Sequence, residues 1–174
     1  MTVIVTERLT LRPPERSDAA ALVVALNNLN VSRWTGRIPY PYGAADAEAF
    51  LDHHEAPAPD ELMLLITRAG QLIGGIGIGF GEIGYWLAEE HWGQGYGREA
   101  ARAMTDHGFE VLELEELEAS YQLGNAASRR ILLGLGFVET GEGRAFSKAR
   151  QAEVAHMKLV LTRSAWAEAK ERRR

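Results

Sequence analysis

A mixed α/β fold, with a mostly antiparallel sheet covered by helices, follows from three observations on the sequence. Apolar strand-like runs succeed one another in hairpin order up to residue 87. Two helical segments then cross between later strands. No repeat or linker divides the chain, so residues 1–174 are expected to form one domain.

The elements follow in order. Residues 4–12 alternate apolar and polar side chains, with Leu9 and Leu11 on one face, and Pro13-Pro14 stops that strand. Ser17 or Asp18 caps a helix that carries Leu22, Val23, Leu26 and Leu29 at helical spacing. Residues 30–43 contain Trp34, Pro39, Tyr40, Pro41 and Tyr42 and read as a loop, and 44–55 read as a second helix burying Ala47, Phe50 and Leu51. Residues 62–68 and 71–80 are two apolar runs joined by Ala69-Gly70, a hairpin. In the second run Gly75, Gly77 and Gly79 share one face, which calls for a bulge or the close approach of another element. A strand at 82–87 leads into a long helix at 95–111 with Ala100, Ala101, Met104 and His107 inward. A strand at 117–122, a helix at 125–133, strands at 137–139 and 154–161, and an amphipathic helix at 163–173 complete the chain.

Composition narrows the function classes. At 46% hydrophobic and 25% charged the sequence is that of an ordinary globular protein with a sizeable core. The net charge of -5 gives no pull toward nucleic acid. The chain has no cysteine, which excludes disulfides, zinc–thiolate sites and thiol nucleophiles. No apolar run reaches membrane-spanning length and the N-terminus lacks a signal layout, so the cytoplasm is the expected location.

The chemistry concentrates in residues 81–102. There a strand gives way to a glycine-rich turn, Gly93-Gln94-Gly95-Tyr96-Gly97-Arg98, that opens a helix. The first backbone N–H groups of a helix are unpaired and lie at the positive end of its dipole, so the turn suits a phosphate or pyrophosphate. It is neither a P-loop nor a dinucleotide fingerprint, since it lacks the Gly-Lys-Ser/Thr ending and no first-strand βαβ unit surrounds it. A tight strand–helix connection without a ligand would read the same way.

The turn, written Trp92-Gly93-Gln94-Gly95-Tyr96-Gly97, resembles the acetyl-CoA motif of the GNAT N-acetyltransferases. Trp92 departs from the usual Arg or Gln in the first position, and this departure is similar to the RimJ/RimL-type branch of ribosomal-protein alanine acetyltransferases. Further segments fit that branch in order: Thr6-Glu7-Arg8-Leu9-Thr10-Leu11-Arg12-Pro13, Val31-Ser32-Arg33-Trp34, Ile83-Gly84-Tyr85-Trp86-Leu87, Asn125-Ala126-Ala127-Ser128 and Leu135-Gly136-Phe137. The resemblance implies the GNAT fold: a mixed, mostly antiparallel seven-stranded sheet splayed between its fourth and fifth strands, with helices on both faces. It also implies acetyl transfer from acetyl-CoA to a primary amine, with no metal and no covalent enzyme intermediate.

The resemblance further implies site residues. Trp92, Gly93, Gln94, Gly95, Tyr96, Gly97 and Arg98 would hold the pyrophosphate, and Trp86 and Leu87 would flank a pantetheine arm lying along their strand. Asn125 would hydrogen-bond the arm, although a helix N-cap is equally served by it. Arg130, with Arg129, could reach the 3′-phosphate. Trp34, with Tyr40 and Tyr42 on a loop that in the family lies over the acceptor cleft, and Tyr85 would face the acceptor. Because an amine with an ordinary pKa of roughly 8 to 10 is largely protonated at neutral pH, a general base is useful. Glu82 is the candidate, with burial expected to raise its pKa, and a solvated strand-end carboxylate is the plainer alternative. His53, His54 and Glu55 are weaker candidates. Ser128 matches the serine that the branch uses to assist the departing thiolate, in place of a tyrosine. The acceptor is read as a protein N-terminus or a small amine, and the resemblance allows a homodimer. A non-catalytic acyl-CoA-binding module of the same fold is the rival reading.

Overall fold

Branched apolar residues build the central strands of the sheet, and the computed structural model describes residues 2–172. The strands are β1 (Ile4–Val5), β2 (Thr10–Arg12), β3 (Glu61–Arg68), β4 (Gln71–Gly79), β5 (Glu82–Leu87), β6 (Glu116–Gln122), β7 (Val138–Ser147) and β8 (Ala152–Thr162), arranged in the order β1-β2-β3-β4-β5-β6-β8-β7. The helices are α1 (Ala19–Leu26), α2 (Leu29–Ser32), α3 (Ala44–Glu55), α4 (Tyr96–Glu110), α5 (Ala126–Leu135) and α6 (Arg163–Glu171). The expected terminal helix extended to Arg173, which lies outside the described residues.

The mixed, mostly antiparallel sheet agrees with expectation, but it has eight strands where seven were expected. The run 4–12 folds back on itself: the Thr6 N–H donates to the Leu9 carbonyl at 2.9 Å, and Ile4 pairs with Leu11. The short strand expected at 137–139 is ten residues long and pairs with β8 along its length. Its residues are mostly exposed, so it carries no apolar alternation to announce it. The expected helix ending in Leu29 stops at Leu26, and Leu29 is exposed at the start of α2.

Among the described residues all strand pairings are antiparallel except one. β5 runs parallel to β6 and meets it only at Glu82–Glu118 and Ile83–Ala119, after which the two strands diverge. This is the splay that the family resemblance implies. β5 continues against β4 and β6 against β8, so the divergence leaves facing edges open on β5 beyond Ile83 and on β6 beyond Ala119.

Side-chain alternation divides the sheet into two faces. One face packs Leu64, Ile66, Ile76, Ile78, Ile83 and Leu117 against Met104 and Phe109 of α4, Leu132 and Leu135 of α5, and Trp166 of α6. The other carries Leu65 and Trp86 against Leu22, Leu26, Ala47 and Leu51 of α1 and α3. The bare glycine face of β4 belongs here. A Cβ on Gly75 would stand 2.5 Å from the Trp86 Nε1, so the indole occupies the space that side chains would fill. Over β6 and β8 this second face is uncovered, with Glu118, Ser120 and Lys158 exposed.

The link from β2 to α1 is electrostatic. Arg12 forms a two-pronged pair with Asp18 (Nη2 to Oδ1 2.7 Å, Nη1 to Oδ2 2.8 Å), and the Glu15 N–H donates to the same carboxylate. Burial pushes the Asp18 carboxyl up, but Arg12 and the Glu15 N–H outweigh it and hold the group below its ordinary value. A carboxylate depressed in the folded state contributes stability above its unfolded pKa of about 3.9 and loses it as pH falls through the folded value. Denaturant melts from pH 7 to 2 are therefore expected to show wild type losing stability below about pH 4 more steeply than Asp18→Asn. At pH 7 the variant is expected to be less stable by about 2 kcal/mol.

Candidate active site

The glycine-rich turn joins β5 to α4 with two left-handed residues, Gly93 at φ 73° and Gly95 at φ 84°. A side chain would strain both positions, which fixes the turn's shape in the sequence. Gly97 serves packing instead: a Cβ there would come within 3.3 Å of Ile131 and Leu87. Gly95 is the N-cap and has no side chain to occupy the first N–H groups of α4, so these donors remain for a ligand. The helix begins at Tyr96, which leaves Gln94 just outside it; its side chain donates to the Glu90 carbonyl. Trp92 is 41% exposed and donates its indole N–H to the Leu87 carbonyl at 2.9 Å, closing the turn onto the end of β5.

Arg8, from the β1–β2 turn, braces this loop from behind. Its Nη1 donates to the Gln94 carbonyl at 3.0 Å, its Nε pairs with Glu99 at 2.7 Å, and its guanidinium lies over the Tyr96 ring. Thr6 donates to the same Glu99 carboxylate. In a trans peptide the C=O and the next N–H point opposite ways, so anchoring the Gln94 carbonyl turns the Gly95 N–H away from Arg8. In the sequence the Arg8 segment is visible only as a branch motif, and a brace between elements so distant along the chain has no local signal.

A cleft of about 2060 Å³ runs from this turn through the β5–β6 splay to the loop after α2. Cavities for a single ligand are roughly 300–1,000 Å³, so this one has room for two substrates. Arg98 and Arg130 line its turn end, and among the described residues neither has an acidic partner. Arg129 is directed elsewhere, pairing with Glu139, which also accepts from the Tyr121 hydroxyl.

Asn125 sits at the head of α5 and its Oδ1 accepts the Ser128 N–H at 3.1 Å, so it is a helix N-cap. One Asn oxygen used this way leaves its amide N–H groups for another acceptor. Ser128 Oγ lies 3.0 Å from the Tyr85 hydroxyl. Burial pushes the Tyr85 phenol up to about 12, against the opposing pull of this hydrogen bond. Tyr85 therefore points to the α5 side of the sheet. Trp86, adjacent, points to the other side, and only its backbone and that of Leu87 follow the open edge of β5.

Glu82 opens β5 on the uncovered face, in register with Glu118, and accepts from Ser120 Oγ at 2.7 Å. It is exposed, not buried as expected, because among the described residues no helix covers this part of the sheet. Glu82 and Ser128 thus stand on opposite faces, with the splay between them. Ser120 was missed in the sequence, where it is one polar residue in an alternating strand.

At the far end Trp34 lines the cleft beside Gly124, held by bonds from Gln122 and Ser147 to the Thr35 carbonyl. Tyr40 is 40% exposed and is not brought to the cleft; Tyr42 lines it instead, because its ring packs among Leu22, Leu26 and Leu51. His53, bonded to Glu61 at 2.8 Å, and His54 also line this end, whereas Glu55 turns outward to Arg16.

The class of protein that carries this fold and cleft is shown by comparison with known proteins. Residues 8–138 match the acetyltransferase (GNAT) domain, so the chain belongs to that family of acetyl-CoA-dependent N-acetyltransferases. It is 29% identical over 160 residues to the uncharacterized N-acetyltransferase p20 of Bacillus licheniformis, covering 86% of this chain and 90% of that one. Its fold is shared by Mycobacterium smegmatis RimJ in complex with CoA-disulfide (TM-score 0.80, 22% identity, 93% of this chain and 89% of that one). The ribosomal-protein-S5-alanine acetyltransferase of Vibrio fischeri is also similar in fold (TM-score 0.76, 20% identity, 95% and 99%).

Removing the brace tests the turn. Arg8→Ala is expected to weaken acetyl-CoA binding about tenfold, the combined worth of a carbonyl hydrogen bond and an exposed cation–π contact. Titration calorimetry with CoA checks this, and an unchanged Kd would mean the turn holds its shape unaided.

Proposed function

We propose that this chain transfers the acetyl group of acetyl-CoA directly to a primary amine, either a protein N-terminal α-amine or a small-molecule amine. The reading rests above all on the placement of Glu82 and Ser128 on opposite faces of the sheet, across the β5–β6 gap. A thioester threaded through that gap would present its carbonyl to an amine arriving on the open face and its sulfur to the α5 side. The pyrophosphate would rest on the 93–98 turn, with Arg98 and Arg130 near the remaining phosphate and Asn125 bonding the pantetheine arm. Trp34 and Tyr42 would wall the acceptor end. The absence of cysteine supports direct attack over a thiol-borne intermediate.

In the reaction, Glu82 takes a proton from the ammonium or attacking amine and passes it to water; its bond from Ser120 fixes the carboxylate. The amine nitrogen bonds to the carbonyl carbon, and the carbon–sulfur bond breaks. Ser128 donates a hydrogen bond to the departing thiolate. The fold relatives named for RimJ and for the S5 alanine support a protein N-terminus as acceptor. The open face beside Glu118 and Lys158 is equally accessible to a free small amine.

A thiol-release assay over a panel of N-terminal peptides and small amines tests the reading. Turnover with one acceptor class identifies it, whereas CoA binding without turnover on any acceptor favours a binding module. Glu82→Gln, which keeps the bond from Ser120, is expected to lower kcat about a hundredfold at pH 7. The loss shrinks toward the amine's own pKa, because the amine then arrives unprotonated; a pH–rate profile parallel to wild type would remove the base role. Ser128→Ala is expected to lower kcat more than it raises the KM for acetyl-CoA.

A further inference from the structure

We propose that Tyr85 is a positioning residue that aims the Ser128 hydroxyl at the departing sulfur. The proposal rests on the acetyl-transfer reading above. Tyr85 comes from β5 and Ser128 from the first turn of α5; both line the cleft, and their hydroxyls lie 3.0 Å apart.

A serine hydroxyl has one proton, and the neighbour that receives it decides what the group can do. In a helix its ordinary recipient is the carbonyl one turn back. Here the backbone of Ser128 is already fixed by the Asn125 cap, so the remaining freedom is rotation of the hydroxyl. Tyr85 narrows that freedom. A phenol is more acidic than an alkyl alcohol, and its oxygen is a poorer acceptor because a lone pair is shared with the ring. The favoured direction is therefore Tyr85 donating to Ser128 Oγ, which leaves the Ser128 proton to point into the cleft. Burial keeps the Tyr85 hydroxyl protonated throughout the working pH range, so the donor persists. Donation into Oγ also polarises the serine, and the N-terminus of α5 adds positive potential beside it.

When the amine nitrogen bonds to the carbonyl carbon, the carbon–sulfur bond breaks and sulfur leaves with its electron pair as a thiolate. The nitrogen's proton departs through Glu82 to water. The Ser128 hydrogen bond, oriented by Tyr85, stabilises the thiolate, which takes its proton from solvent on release. Neither hydroxyl gives up its proton.

The test compares full-length wild type, Tyr85→Phe, Ser128→Ala and the double variant. Phenylalanine keeps the ring, so a packing role alone leaves kcat unchanged. Tyr85→Phe is expected to lower kcat about tenfold, the rate equivalent of one hydrogen bond, with the KM for acetyl-CoA moving less than about twofold. Ser128→Ala should lose more, and the double variant no more than Ser128→Ala. A second readout needs no turnover: ultraviolet thiolate absorbance of bound CoA, titrated against pH, should show the sulfur ionising at lower pH in wild type than in Tyr85→Phe. Wild-type kcat in Tyr85→Phe, multiplicative losses in the double variant, a greater loss in Tyr85→Phe than in Ser128→Ala, or identical sulfur titrations would each overturn the proposal. Wild type that binds CoA but acetylates no amine overturns the acetyl-transfer reading instead, and the sulfur titration still judges Tyr85.

Discussion

Among the described residues β5 and β6 are in register at two pairs, Glu82 with Glu118 and Ile83 with Ala119, and the site depends on how soon that pairing ends. A longer parallel ladder would close the gap; no ladder at all would divide the core. The strands part because β6 is committed to β8 from Glu116 to Gln122, whereas β5 is held by β4 from Glu82 to Leu87. Each strand satisfies one edge with its antiparallel partner and leaves the other edge open. Open backbone edges within a sheet are costly unless water or a ligand fills them, and an amide-bearing chain such as pantetheine matches that requirement.

The divergence also places two helix starts at one mouth. The crossover α4 leaves β5 through the 93–98 turn, and α5 leaves β6 through Asn125, so the positive ends of both helices open on the cleft. The two starts are finished differently. α5 is capped by its own Asn125 side chain, while α4 begins on a glycine with nothing to cap it. The uncapped start is the one braced from outside by Arg8, which holds the Gln94 carbonyl and the Glu99 carboxylate of α4 itself. Rigidity supplied from the back of the loop leaves its front free for an anion.

Alternation along β5 then separates the chemistry. Ile83, Tyr85 and Leu87 face the packed side with α4 and α5, and Glu82, Gly84 and Trp86 face the other. Glu82 on one face and Tyr85, beside Ser128 of α5, on the other follow from a period of two, without any loop rearrangement. The glycines of β4 belong to the same logic, since they admit Trp86 against the strand and keep its bulk out of the gap.

The sequence by itself determined the mixed sheet and the glycine-rich turn that opens α4, because each is a local matter: glycines at positive φ and apolar alternation are written in consecutive residues; several motifs in register carried the family, and the splay came with that resemblance. It misjudged the first strand and β7, where a fold-back turn and a solvent-facing strand leave no periodic trace. Tertiary structure alone decided the relations between distant segments. It showed that Arg8 braces the turn, that Tyr85 reaches Ser128, that Tyr42 and not Tyr40 lines the cleft, and that Glu82 is exposed beside Ser120. Those facts depend on which strand edges and helix faces meet, and burial and side-chain pairing are properties of that meeting, not of any stretch of chain.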